Sequence, residues 1–212
     1  MKFVMIQLTN VSCWHGRAQV VHQVSLHIKR GEHVALIGGN GSGKSTLMRS
    51  MLGLHPSFSG QILLDGKEAN TNKDWFMRRR CVAYMPQRQA TGQFPLLLRE
   101  LLASSQQIEA AQVAAERLGV WQLADRPLHT LSGGQLQRAF LARAMGMLAG
   151  EANVFLADEP TAALDFSGQA EIVTVLSELS ATLLVITHDR AMVARCGRAL
   201  EMAGGCLREV AT

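Results

Sequence analysis

The sequence predicts an α/β protein with a mainly parallel core sheet and a small helical subdomain. Three observations carry that expectation. Short apolar runs alternate with helical stretches along most of the 212 residues, the pattern of strands joined by crossover helices. A glycine-rich loop, Gly38-Gly39-Asn40-Gly41-Ser42-Gly43-Lys44-Ser45, sits between one such run and a helix. Residues 96–126 are rich in Ala, Leu, Glu and Gln and nearly free of β-branched residues, a helical composition interrupted at Gly119.

Taken in order, residues 3–8 and 20–28 alternate as strands do and end at an Arg30-Gly31 turn. Residues 33–38, "HVALIG", are a short apolar run read as a buried strand, and "KSTLMRSMLGL" after the glycine-rich loop is helical. Gly60 opens "QILLDGK", where Asp65-Gly66 is a turn signal. Residues 81–87, "CVAYMPQ", form a strand stopped by Pro86. The helical subdomain follows, then "LSGGQ" (131–135) running into a helix, the strand "NVFLADE" (153–159), a helix over 167–179, the strand "TLLVITH" (182–188) and a closing segment. The expected organisation is a single domain over 1–212, with its core in 1–95 and 136–212 and the inserted subdomain at about 96–135.

Composition narrows the classes. Hydrophobic residues make up 48% and charged residues 18%, enough apolar surface for a packed core and too little charge for disorder. A net charge of +4 is too small to argue for nucleic acid, and none is expected as a partner. The dense basic run Arg78-Arg79-Arg80, with Lys73 and Arg88 nearby, reads either as a solvated face or as a contact with a partner or anionic headgroups. Cys13, Cys81, Cys196 and Cys206 form no CxxC pair and read as reduced thiols of a cytosolic protein. The seven histidines make no HxxxH or HExxH pair, so no structural metal site is expected. The N-terminus lacks the apolar core of a signal peptide, and no run of eighteen apolar residues exists. Work at a membrane would need another chain to hold this one there.

The loop from Gly38 to Thr46 fits the pattern GxxxxGK(S/T) in full. Its glycines let successive backbone N–H groups turn inward toward phosphate oxygens, and the following helix adds its N-terminal dipole. Lys44 is expected to reach the β- and γ-phosphates, Ser45 to ligate Mg²⁺, and Thr46 to donate to the α-phosphate. Downstream, "NVFLADEP" ends an apolar strand in two acids. Asp158 is placed to hold Mg²⁺ through water, and Glu159 to align an attacking water and accept its proton.

The second turn, Leu131-Ser132-Gly133-Gly134-Gln135, offers one hydroxyl, two glycine N–H groups and a helix dipole, but no lysine and no magnesium ligand. That suits a clamp on a terminal phosphate better than an independent nucleotide site. The intervening helices carry it away from the first loop, which suggests that its ligand belongs to a partner.

With these three motifs in order, the chain resembles the ATP-binding cassette (ABC) ATPases over nearly its whole length. The resemblance implies a P-loop NTPase ABC cassette with an N-terminal antiparallel β part, ATP and Mg²⁺ as ligands, and the "LSGGQ" stretch as the family signature. It implies that Gln87, ending "YMPQ", touches Mg²⁺ and links to a membrane partner, that Leu164-Asp165 form the D-loop, and that His188 in "VITHD" contacts the γ-phosphate. Trp14, in "VSCWHG", stands where the family places an aromatic against adenine; a core aromatic on a strand is the other reading. Gly39 replaces a common proline and Ala162 a common serine, and neither change removes a needed donor or acceptor. The implied assembly is two copies head to tail, each signature closing over the other's ATP, with Lys44, Gln87, Glu159 and His188 active in hydrolysis.

The implied output is transport. A single compact cassette suits the energy-coupling subunit of a membrane permease, peripheral on the inner face of the cell membrane, with a periplasmic or extracellular substrate-binding protein completing the system. DNA-repair and ribosome-associated relatives carry coiled coils or a second cassette, for which 212 residues leave no room. Residues 84–101, including Arg88 and Phe94-Pro95, look most like importers of zinc, manganese or iron chelates; importers of other solutes and a small export cassette are the alternatives.

Overall fold

The computed structural model describes residues 4–87 and 95–210. Arg88 and Phe94, drawn on above for the partner type, lie outside the described residues. The N-terminal part is an antiparallel sheet in the order β2-β1-β4, made of β1 (Val4–His15), β2 (Ala18–Lys29) and β4 (Phe58–Leu64). β1 runs well beyond the expected 3–8. The pairing slips between Leu8↔Leu26 and Val11↔Val24, where Asn10 takes φ 51° and receives Ser25 Oγ–H on its side chain. That bulge puts two exposed residues in succession and breaks the alternation by which a strand is read, while Leu8, Val11 and Cys13 stay buried.

The second sheet has the order β5-β6-β7-β3-β8-β9: β3 (His33–Ile37), β5 (Val82–Met85), β6 (Val154–Asp158), β7 (Thr182–Ile186), β8 (Arg198–Ala203) and β9 (Cys206–Val210). The first five are parallel and β9 returns antiparallel beside β8. β6 and β7 are buried at every position, as strands covered on both faces must be. Their side chains alternate between two cores. Val34, Leu36, Leu156, Leu184 and Ile186 join α1 (Lys44–Met51) and the antiparallel sheet; Ala35, Phe155, Ala157, Leu183 and Val185 join the helices opposite.

One helix departs from expectation. α2 (Asn72–Arg80) starts at a capping box, in which Thr71 Oγ accepts from Asp74 N and Asp74 accepts from Thr71 N. It carries the basic run, and Arg78 is no solvated charge. At 7% exposure its guanidinium donates to the carbonyls of Met51, Ile62 and Lys67 and lies 4.8 Å over the Trp75 ring. Arg78 staples α1, β4 and the turn after it, while Arg79 remains exposed.

The helical stretch contains α3 (Leu98–Ala103) and α4 (Ile108–Arg117), followed by two short 3₁₀ turns. α5 (Gly133–Ala149) is one helix across the expected 135/136 boundary, packing on α3 and α4 and on β5 and β6. A Cβ at Gly146 would lie 2.7 Å from Ala111 Cβ, so glycine is what lets α5 and α4 approach. α6 (Phe166–Ser177) and α7 (Arg190–Arg195) complete the layer. Among the described residues no helix is long and apolar enough to cross a membrane.

Candidate functional site

The C-terminal ends of the parallel strands bring the glycine-rich loop, Gln87, Asp158, Glu159 and His188 together, where open α/β sheets place their ligands. The glycine-rich loop leaves β3 between β7 and β8. Two of its glycines are obligatory: a Cβ at Gly38 (φ 138°) would lie 2.1 Å from Met202 O, and one at Gly43 (φ 103°) 2.6 Å from Val20 O. Lys44 opens α1 buried, and its ammonium donates to Gly38 O (2.6 Å) and Gly39 O (3.0 Å). Those bonds fold the lysine back along the loop and hold its charge at the mouth of the cradle. Burial pulls the Lys44 ammonium down, with Glu159 and Asp158 drawing it partly back up.

Asp158 ends β6 at 1% exposure, and among the described residues neither carboxylate oxygen has a donor in full hydrogen-bond geometry, the Ser45 hydroxyl being the neighbouring one. Burial pushes its carboxyl up, partly offset by the neighbouring Ser45 hydroxyl and the Arg49 and Lys44 cations. A buried carboxylate beside a serine hydroxyl, with its lone pairs largely unused, is an oxygen set that fits a hard, oxygen-seeking cation such as Mg²⁺.

Glu159 follows in a left-handed conformation, φ 54°, a strained backbone for a side chain of this size. Two bonds fix it there: its N–H donates to Ile186 O at 2.9 Å, and its carbonyl accepts from Gln137 Nε2 at 2.9 Å. The turn aims the carboxylate at His188, with Oε1 3.3 Å from Nε2. Burial raises the Glu159 carboxyl, and His188 is the main group lowering it. A carboxylate so raised, buried and oriented by an imidazole is suited to taking a proton from water.

A cleft of about 410 Å³ joins these parts, lined by residues 40–46, Gln87, Asp158, Glu159 and His15. His15 was not anticipated. It ends β1, contacts Thr46 Oγ1 at 3.2 Å and meets the His55 ring edge-on at 4.8 Å. Trp14, expected against adenine, is not among the described residues that line this cleft. Successive strand side chains point to opposite faces, and it is His15 whose side chain lines the cleft. Trp14 is instead partly buried, with its backbone tied to Ser57 O and His55 Nε2. The signal available in the sequence was the one-residue phase of β1, which the tryptophan masks.

The signature lies outside this cleft. Ser132 caps α5 and forms a reciprocal box with Gln135, so the hydroxyl and the amide stand fixed at the helix start. A Cβ at Gly134 would lie 3.2 Å from Leu164 Cδ2 and one at Gly133 3.4 Å from Ala163 Cβ, packing the signature on the loop before α6. Asp165 is also away from the cleft; it caps α6, accepting from Gly168 N (2.9 Å) and Ser167 Oγ (3.1 Å), bonds that hold its carboxyl low.

Residues 21–162, from β2 through both acids, match the family model described as ABC transporter. The chain belongs to the ABC transporter family. This ABC ATPase is 35% identical over 204 residues to the manganese transport system ATP-binding protein MntB of Bacillus subtilis, covering 87% of this chain and 77% of that protein. It is 38% identical over 208 residues to the macrolide export ATP-binding/permease protein MacB 1/2 of Paracoccus denitrificans, covering 90% of this chain but 30% of that one. Among solved structures, the dimeric structure of a bacterial ABC transporter cassette superposes with a TM-score of 0.86 at 27% identity, covering 97% of this chain and 98% of that one. Lys44, Gln87, the signature and both acids fall within the family match; His15, Asp165 and His188 lie outside it.

Proposed function

We propose that this ABC ATPase holds Mg-ATP between its glycine-rich loop and the Asp158-Glu159 corner, and that hydrolysis there by paired copies drives an integral membrane permease. The buried, strained Glu159 aimed at His188 beside the phosphate cradle is the observation that carries this reading. Lys44 and the loop N–H groups hold the β- and γ-phosphates, Thr46 the α-phosphate, and His15 supplies a ring for the adenine. Ser45, Asp158 and Gln87 hold Mg²⁺, which supplies neutralisation of phosphate charge. Glu159 takes the proton of a water that His188 helps align, the water oxygen bonds to the γ-phosphorus, and the bond to ADP breaks in line.

Ser132, Gly133, Gly134 and Gln135 then close over the γ-phosphate of a second copy, and Asp165 stands at the same seam. The signature's place outside its own cleft supports this head-to-tail pairing, as does the likeness to a dimeric cassette. Through the permease the pair sits on the inner face of the cell membrane. Import of a metal ion or metal chelate is the cargo reading: MntB matches over 77% of its length, whereas the export protein is matched over 30% of its own. An importer of this kind works with a binding protein outside the membrane.

The test is ATPase and binding assays on the purified chain. Lys44→Ala is expected to weaken ATP binding by about 10- to 100-fold. Glu159→Gln is expected to keep ATP binding and lose kcat by about 10²- to 10⁴-fold. Full activity in Glu159→Gln would overturn the base assignment. For cargo, ATP hydrolysis in vesicles with the cognate permease and binding protein should respond to Mn²⁺ or Zn²⁺; a response to organic solutes alone would reject the metal reading.

A further inference from the structure

We infer that His55 is a positioning residue for nucleotide binding, which fixes the ring of His15 in place before ATP arrives. This role rests on the reading of His15 as the ring for the adenine and names the residue that makes that ring ready. His15 is exposed at the end of β1, where Gly16 (φ 59°) turns the chain. An exposed imidazole at a strand end swings between rotamers, and ordering it on contact costs free energy. A ring already held in place avoids most of that cost.

His55 grips one residue at two points. Its Nε2 lies 3.0 Å from Trp14 O, the carbonyl of the peptide unit that leads into His15. A carbonyl only accepts, so Nε2 carries the proton and donates. The two imidazole rings lie 4.8 Å apart, centre to centre, at 72°. The backbone entering His15 and its side chain are therefore both set against the same imidazole, itself only 9% exposed. The segment that carries His55 is also tied down. Trp14 N donates to Ser57 O at 3.0 Å, so residues 55 and 57 take both backbone groups of Trp14. Phe58 then pairs with Cys13 as β4 begins.

A further hold on the His15 ring comes from the phosphate cradle, where His15 Nε2 meets Thr46 Oγ1 at 3.2 Å. The ring is thus placed by His55 and by the first turn of α1 together. His15 and Thr46 line the cleft, and His55 is not among the described residues that do. Its route to a bound nucleotide runs through His15. The consequence is a selective one. Residues 40–46 hold phosphates whatever the ring does, so loss of His55 is felt at the base and not at the phosphates.

The test is calorimetric titration of the full chain with ATP and with tripolyphosphate, each with Mg²⁺. His55→Gln keeps a donor for the Trp14 carbonyl and removes the ring, whereas His55→Ala removes both. Each is expected to raise the dissociation constant for ATP about 2- to 10-fold, the scale of one side chain left to be ordered on binding. Tripolyphosphate, which has the phosphates and no base, is expected to bind as it does to the parent. In steady state the KM for ATP should rise in step, with kcat little changed. On a His15→Ala background, His55→Gln is expected to add nothing. If His15→Ala itself leaves ATP affinity unchanged, the adenine reading fails and this inference with it. Three other results overturn the inference while the His15 reading stands: ATP affinity unmoved by His55→Gln, tripolyphosphate weakened as much as ATP, or losses at His15 and His55 that add in full. In each of these His55 supports the fold and not the ring.

Discussion

His188 Nε2 lies 3.3 Å from Glu159 Oε1, and it is the main group pulling a burial-raised carboxyl back down. Glu159 must be ionised to accept a proton, so the acidic limb of kcat should fall above the ordinary glutamate range of about 4.3. Removing His188 removes a lowering influence, so His188→Ala should move that limb to higher pH as well as slow turnover. A pH profile of kcat at saturating Mg-ATP reads both. A limb that stays put or moves down would mean that His188 does not act on Glu159.

His15 and Trp14 make opposite predictions. His15→Ala should raise the KM for ATP by about 5- to 100-fold with little change in kcat, the scale of one lost base-stacking contact. Trp14→Phe should leave both constants close to the parent. Steady-state kinetics on the two variants decides between neighbouring residues on opposite faces of one strand.

Asp158 keeps a buried carboxylate whose oxygens have no well-aligned donor among the described residues, and burial raises its folded pKa despite the nearby Ser45 hydroxyl. The cost of that charge is absent below the unfolded pKa, where both states are protonated, and grows as pH rises through the folded value. Asp158→Asn should therefore raise Tm at pH 7–8 without Mg-ATP by roughly 2–4 °C. The gain should fade toward pH 4, while ATP turnover is lost. Thermal melts across pH, with no gain at neutral pH, would show the carboxylate to be satisfied in some other way.

Arg78 donates to three carbonyls from three segments, and burial lowers its guanidinium to about 10. Arg78→Met should destabilise the chain by about 2–4 kcal/mol, because the carbonyls lose their donor without regaining water. Lys73→Met on the exposed side of the same helix should stay within about 0.5 kcal/mol. Urea midpoints compare the two.

The contrast between these residues explains what could be read from the chain alone. The phosphate loop, the two acids and the signature are contiguous stretches whose chemistry depends on spacing along the backbone, so residues 38–46, 131–135 and 158–159 were legible. His15 was not, because which side chain of a strand faces a cleft depends on its phase across a sheet. α2 was missed although Thr71 and Asp74 form a visible capping box, since its polar residues give no apolar periodicity. The burial of Arg78 depends on carbonyls up to 27 residues away, and no local pattern announces them. β1 was cut short in the reading because its bulge at Asn10 looks like an end.

Gln137 stands two residues beyond the signature and donates to the carbonyl of Glu159 at 2.9 Å. In a head-to-tail pair, then, one turn of helix faces two clients: its tip grips the neighbour's nucleotide while its flank steadies the proton acceptor at home. A tilt of that turn on losing the neighbour's γ-phosphate would be felt at once in the chain's own catalytic corner. The two sites would be expected to fire in correlation, with turnover in mixed pairs of active and Glu159→Gln copies falling below half.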